Sequence, residues 1–190
     1  MKNFKILDCT LRDGGYYNNW NFSDKLIQDY LNSISKTAIN YVELGFRFSK
    51  KDHFMGNTAY TTDKLINDLK VPNNINLGVM VNAGDLINNY HYTHKNLLSL
   101  FKKRNKKIKF VRLACHFDEI QKLKKCLNWL NKNKYEVFVN IMQISEIDKS
   151  KVRKICNFLI RNKIKKIYLA DSLGSLRIKS FKKIINIFQL

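Results

Sequence analysis

Proline is almost absent from this 190-residue chain, which holds Pro72 alone, and only seven glycines occur. Linkers between domains are usually rich in such residues, so a single domain spanning residues 1–190 is expected rather than a string of modules. No run of ~18 consecutive apolar residues occurs, which argues against a membrane-spanning helix. The opening stretch MKNFKILDCT lacks the apolar centre of a secretory signal, and a cytoplasmic location is expected. The four cysteines, Cys9, Cys115, Cys126 and Cys156, show no CxxC spacing. Buried reduced thiols are therefore expected, not a disulfide framework or a zinc site. Acidic residues are scarce as well: 15 Asp and Glu stand against 35 Lys and Arg, a net charge of +20. A field of that size would attract a polynucleotide or an acidic surface. The lysines, however, recur on every predicted helix, as in Lys102-Lys103, Lys124-Lys125 and Lys182-Lys183. Solvated helix faces account for them, and neither nucleic acid nor membrane is expected as a partner.

What the chain does have is apolar content, at 45%, with 12% aromatics, enough for a real core and too much for a disordered tail. Short β-rich runs recur at Phe4–Cys9, Tyr41–Leu44, Leu77–Val81, Phe110–Ala114, Val137–Ile141 and Ile167–Ala170. Each is nearly continuous in apolar residues, as suits strands covered on both faces. Helical stripes separate them. Leu26, Ile27, Tyr30, Leu31 and Ile34 follow a Ser23 cap, and Leu65, Ile66 and Leu69 follow a Thr62 cap. Leu97, Leu98 and Phe101 form the third stripe; Ile120, Leu123, Leu127 and Leu130 the fourth. Val152, Ile155, Cys156 and Leu159 form the fifth; Ile178, Phe181, Ile184, Ile185 and Phe188 the sixth. Six strand–helix repeats imply right-handed βαβ units on a parallel sheet. Periodicity leaves open whether the sheet is doubly wound or closes into a barrel. Units of roughly 30 residues fit a barrel that needs about 250 for eight of them, so this chain would supply about six.

The first predicted strand runs into Asp8-Cys9-Thr10-Leu11-Arg12-Asp13-Gly14-Gly15. In parallel α/β proteins ligands gather at this end of the strands. A carboxylate beside a guanidinium there is informative: Asp13 can ligate a hard cation and Arg12 can meet a developing oxyanion. Gly14 and Gly15 would let the backbone turn sharply. The pair could equally cap a turn. Asp8 is expected to fix Thr10 and that turn rather than bind metal.

The stretch DCTLRDGGYYNNW closely resembles the D-x-T-L-R-D-G signature of the DRE-TIM metallolyases, which include 4-hydroxy-2-oxovalerate aldolase, 3-hydroxy-3-methylglutaryl-CoA lyase and pyruvate carboxyltransferase domains. The resemblance continues at Tyr41-Val42-Glu43-Leu44-Gly45-Phe46-Arg47, at Arg112-Leu113-Ala114-Cys115-His116, at Asn140-Ile141-Met142-Gln143 and at Ala170-Asp171-Ser172-Leu173-Gly174. It implies a TIM (β/α)₈-type barrel, incomplete here, with strands seven and eight missing. It also implies a metal-dependent aldolase or lyase acting beside a 2-oxo acid, with Mn²⁺ or Mg²⁺ held by Asp13. By the same resemblance Arg12 stabilises an enolate and Glu43 holds that arginine. Asn140, Gln143 and Ser172 are placed to bind substrate oxygens or, equally, to satisfy loop backbone. Tyr16 or Tyr17 and His116 are candidate bases, His116 alternatively a hydrogen-bonded structural histidine. Two departures stand out. No histidine follows the Arg-Asp-Gly turn, where Tyr16 and Tyr17 stand instead. The His-x-His pair that completes the family's metal site has no counterpart among His53, His91, His94 and His116. His91 and His94 are expected to be solvated. A homo-oligomer or a second polypeptide is expected to complete the barrel; the alternative is a truncated remnant serving as an interaction module.

Overall fold

The segments rich in Val, Ile, Leu and Phe pair laterally, and the computed structural model describes residues 4–89, 91–164 and 166–188 of the chain. In chain order the strands are β1 (Leu7–Asp8), β2 (Tyr41–Phe46), β3 (Asn76–Asn82), β4 (Ile87–Asn88), β5 (His91–Tyr92), β6 (Ile108–Cys115), β7 (Glu136–Ile141) and β8 (Lys166–Leu169). One six-stranded sheet has the order β1-β2-β3-β6-β7-β8, with β4 and β5 forming a separate antiparallel hairpin. Parallel registers include Leu7 opposite Tyr41, Val42 opposite Leu77 and Val139 opposite Ile167. A doubly wound sheet reverses its order at a switch point, whereas this one follows the chain without reversal, as a barrel does. Six βα units of an incomplete TIM-type barrel are present.

The helices are α1 (Thr10–Gly14), α2 (Asp24–Ile34), α3 (Asn57–Tyr60), α4 (Asp63–Asp68), α5 (His94–Leu100), α6 (Lys124–Lys132), α7 (Lys149–Arg161) and α8 (Ile178–Phe188). Ser23 and Thr62 cap α2 and α4 as their positions suggest, each accepting from a backbone N–H three residues on, at 3.2 Å. Asp148 caps α7 in the same way. Contacts divide the chain into two compact units, Met1–Val81 with Leu98–Val111, and Asn82–Leu97 with Arg112–Leu190. In the first, Ile27 and Leu31 of α2, Val42 and Leu44 of β2, Leu77 and Val79 of β3, and Ile66 of α4 are buried. In the second, Leu127 and Leu130 of α6, Phe138 and Val139 of β7, and Ile155 and Leu159 of α7 are buried.

Some expectations fail in informative ways. The first strand shrinks from Phe4–Cys9 to two residues. Phe4 and Ile6 are exposed on this edge, and Cys9 already accepts the Asp13 N–H at 2.8 Å as α1 begins. Leu26, Leu98, Ile178 and Phe181, assigned to inward stripes, are exposed. The hairpin of β4 and β5 had no signal, because two-residue strands are too short to show a period. Cys115, Cys126 and Cys156 are buried free thiols and Cys9 is half-buried. Burial pushes the Cys126 thiol up to about 12 and that of Cys115 well above its ordinary value, so neither is a ready nucleophile. No helix among the described residues is long and apolar enough to cross a membrane.

Candidate active site

In the first unit the chain leaves β1 at Asp8, whose carboxylate accepts the Thr10 N–H at 2.9 Å and the Thr10 hydroxyl at 3.2 Å. It also accepts a hydrogen bond from the half-buried Tyr30 hydroxyl of α2. Burial and then Asp8 push that phenol well above its ordinary value. With its first residue pinned, the chain coils at once into α1, which presents Arg12 and Asp13. The two glycines that follow do not make a sharp turn: Gly14 and Gly15 are helical, with φ of −62° and −60°. Gly15 is required for space instead, since a Cβ there would lie 2.0 Å from the Trp20 ring. Trp20 itself adopts a left-handed φ of 57° and donates its indole N–H to the Arg12 carbonyl at 2.8 Å.

The Arg12 side chain is held on three sides. Its Nε donates to Glu43 Oε1 at 2.7 Å, and its Nη1 pairs with Asp13. Its guanidinium lies 5.6 Å from the centre of the Phe46 ring. Phe46 stacks on Phe48 at 4.2 Å and meets Trp20 edge-on at 5.5 Å. The Glu43 side chain is fully buried and Arg12 is 12% exposed, while Asp13 is 61% exposed. Burying a carboxylate against a guanidinium carries a desolvation cost that Coulombic attraction barely offsets, so the pair fixes geometry more than it adds stability. Tyr16 is exposed and meets Trp20 edge-on at 4.7 Å. The structure thus brings Arg12, Asp13 and Glu43 into contact and sets Tyr16 on the adjoining aromatic cluster.

The remaining predicted residues belong to the second unit. His116 follows β6 with its side chain exposed, and its backbone N–H donates to Glu119 Oε2 at 2.7 Å. Gln143 follows β7 at a left-handed φ of 51°, and its N–H donates to the Ser172 hydroxyl at 3.3 Å. His116, Gln143, Glu146 and Lys151 line a cavity of about 240 Å³. Asn140 is half-buried on β7, opposite Tyr168. Asp171 accepts the N–H groups of Ser175 and Leu176 at 3.1 and 2.9 Å, closing the loop that carries Ser172. His91 and His94 are exposed, as expected, although His94 Nδ1 also meets the Tyr92 hydroxyl at 2.9 Å.

Three residues of the first cluster were given no role by the sequence. Phe46 and Trp20 stood inside quoted motifs, and an aromatic in so polar a stretch as Tyr16–Asn21 was the available signal for Trp20. Tyr30 was indistinguishable from an ordinary core position. Among the described residues no group of three His, Cys, Asp or Glu side chains could hold a metal ion. Asp13 offers one carboxylate already paired with Arg12, and Glu43 is buried and gives an oxygen to Arg12. The described residues therefore do not fit a complete divalent-metal site.

No curated protein matches the sequence. Among solved structures, the N-terminal domain of a candidate aldolase from Bacteroides vulgatus is similar at 26% identity with a TM-score of 0.82, over 98% of this chain and 60% of that one. The HMG-CoA lyase from Bacillus subtilis shares the fold at 13% identity and a TM-score of 0.75, over 100% of this chain and 65% of its own. The hydroxymethylglutaryl-CoA lyase from Pseudomonas aeruginosa does so at 13% and 0.72, over 98% and 64%. The chain thus spans less than two thirds of each of these three proteins. The strand order, the Arg12–Asp13–Glu43 cluster and a match over residues 3–189 agree: the chain belongs to the HMGL-like family.

Proposed function

We propose that the chain forms the enolate-stabilising part of a lyase or aldolase that breaks or makes a C–C bond beside a 2-oxo acid. The observation that carries this reading is Arg12, held at 2.7 Å by a fully buried Glu43. A cation fixed in orientation before the reaction stabilises an oxyanion without reorganising as charge develops. In cleavage of a 4-hydroxy-2-oxo acid, a base takes the C4 hydroxyl proton and the C3–C4 bond breaks. Its electron pair passes to the C2 carbonyl oxygen, the aldehyde departs, and the enolate takes up a proton to give pyruvate. Arg12 donates to that oxygen as it becomes negative, and Glu43 positions Arg12. Tyr16 and His116 are the proposed bases; Asn140, Gln143 and Ser172 are proposed to bind substrate oxygens. Asp13 would be one ligand of Mg²⁺ or Mn²⁺, the others coming from outside the described residues. A second copy or another polypeptide with further βα units would complete the barrel.

The test is pyruvate release from 4-hydroxy-2-oxovalerate with Mn²⁺ by a full eight-unit barrel containing these residues. Arg12→Ala should lower kcat about a hundredfold or more. Equal turnover by the variant, or no pyruvate from the parent, would sink the proposal. The lack of a three-residue metal group among the described residues favours a second reading, a non-catalytic interaction module. That reading predicts no Mn²⁺ binding and concentration-dependent association of the chain.

A further inference from the structure

A second feature of the first unit is unused by the chemistry above. Directly after β2 the chain places Arg47, whose side chain is 3% exposed and fully engaged in structure. Its Nη2 pairs with Asp63 at 2.5 Å, its Nη1 donates to the Leu100 carbonyl at 2.7 Å, and its Nε to the Thr61 carbonyl at 3.2 Å. The ring of Phe101 covers its face, 4.6 Å away. Arg47 lines a cavity of about 500 Å³, within the size range of small-molecule sites. Phe48, Tyr60 and Leu100 supply apolar wall, and Lys50 and Lys102 supply charge.

The charge balance says what would fit. Asp63 neutralises Arg47, so the acid and the buried cation cancel. Lys50 and Lys102 have no carboxylate partner among the described residues, which leaves two positive charges beside an apolar wall. Two lysine ammonium groups match a dianion, and the aromatic wall matches a flat apolar body. Arg12 does not line this cavity, and Phe46 and Phe48 stack between the two features. We propose that the cavity beside Arg47 is a binding site for a phosphate monoester with an apolar body, its phosphate held by Lys50 and Lys102. This site is independent of the Arg12 chemistry.

Calorimetric titration of the 190-residue chain with phenyl phosphate tests it. The expected result is saturable 1:1 binding, weakened about tenfold or more in the Lys50→Gln/Lys102→Gln double variant. Binding should fall with added salt and persist in Arg12→Ala. Ser99→Trp, at another lining position, should block the cavity and abolish binding while the melting temperature of the chain is held. No binding to the parent chain would overturn the proposal, as would equal binding by the double variant. Binding lost in Arg12→Ala but kept in the lysine variant would place the ligand at the Arg12 cluster and overturn it too. Inorganic phosphate binding as tightly as phenyl phosphate would refute the role of the apolar wall.

Discussion

The two units treat the ends of their strands in opposite ways. In the first, candidate-site side chains bind one another, Arg12 with Glu43 and Asp13 and Asp8 with Thr10 and Tyr30, and Trp20 adds a bond to the Arg12 carbonyl. In the second, the bonds at His116, Gln143 and Asp171 run between side chain and backbone. Glu119 accepts the His116 N–H, Ser172 accepts the Gln143 N–H, and Asp171 closes its own loop. An interlocked cluster fixes the direction of a charge before a ligand arrives. A loop tied through its backbone fixes where the chain runs and leaves side chains such as the His116 imidazole exposed. Under the proposed function, the first arrangement would supply electrostatic stabilisation and the second proton transfer and substrate contact.

The difference should show most strongly in stability. Glu43→Ala leaves the Arg12 guanidinium, only 12% exposed, without its buried partner. Loss of one member of such a pair costs about 3 kcal/mol or more. His116→Ala in the second unit removes an exposed ring whose backbone contact to Glu119 survives, so its effect should stay within about 0.5 kcal/mol. Urea unfolding of both variants measures the contrast. If the two cost the same, the first cluster is not interlocked in the sense described.

The adjoining glycines sharpen the point within a single turn. Gly15→Ala would drive a methyl to 2.0 Å from the Trp20 ring and should cost about 1–3 kcal/mol. Gly14→Ala meets nothing nearer than Phe22 at 3.9 Å, at a helical φ of −62°, and should stabilise by about 0.4–1 kcal/mol. Opposite signs at neighbouring positions would show that packing against Trp20, not backbone freedom, sets the need for glycine. Two losses of similar size would contradict it.

This contrast marks the limit of what the sequence made legible. Local patterns were readable: the Ser23 and Thr62 caps lie one residue before their helices, and the six apolar runs became the six strands of the main sheet. Arg12, Asp13 and Glu43 stood out through a motif, and two of them lie on neighbouring residues. The motif also pointed to the contact of Glu43 with Arg12, but other contacts made in three dimensions left no trace. Gly15 reads like a hinge because its constraint comes from a ring five residues away. Tyr30 reads like core because its hydroxyl partner, Asp8, lies 22 residues earlier. The inner stripe misjudged Leu26, which is exposed, because apolar spacing shows where a face lies but not how far its neighbours cover it.

Tyr30 offers the smallest and most specific test. In the folded chain its phenol is pushed above the ordinary value of 10.0, first by burial and then by the hydrogen bond to Asp8. Tyr92, in the second unit, is also raised, by burial and then by Cys126. When the pH rises above about 10, unfolded chains lose these protons while folded ones keep them, so the folded state binds more protons and stability falls. The stabilising contribution is fully present below pH 10 and is lost towards the higher folded-state value. Tyr30→Phe removes the bond to Asp8 and should cost about 1 kcal/mol at neutral pH. It should also make the decline between pH 10 and 11 shallower without abolishing it, because Tyr92 remains. Chemical denaturation at pH 7, 10 and 11 reads both effects. A decline as steep in the variant as in the parent chain would mean that Tyr30 keeps its phenol no better in the folded state than in the unfolded one. The Tyr30 bond would then add nothing to the Thr10 bonds that fix Asp8 at the start of α1.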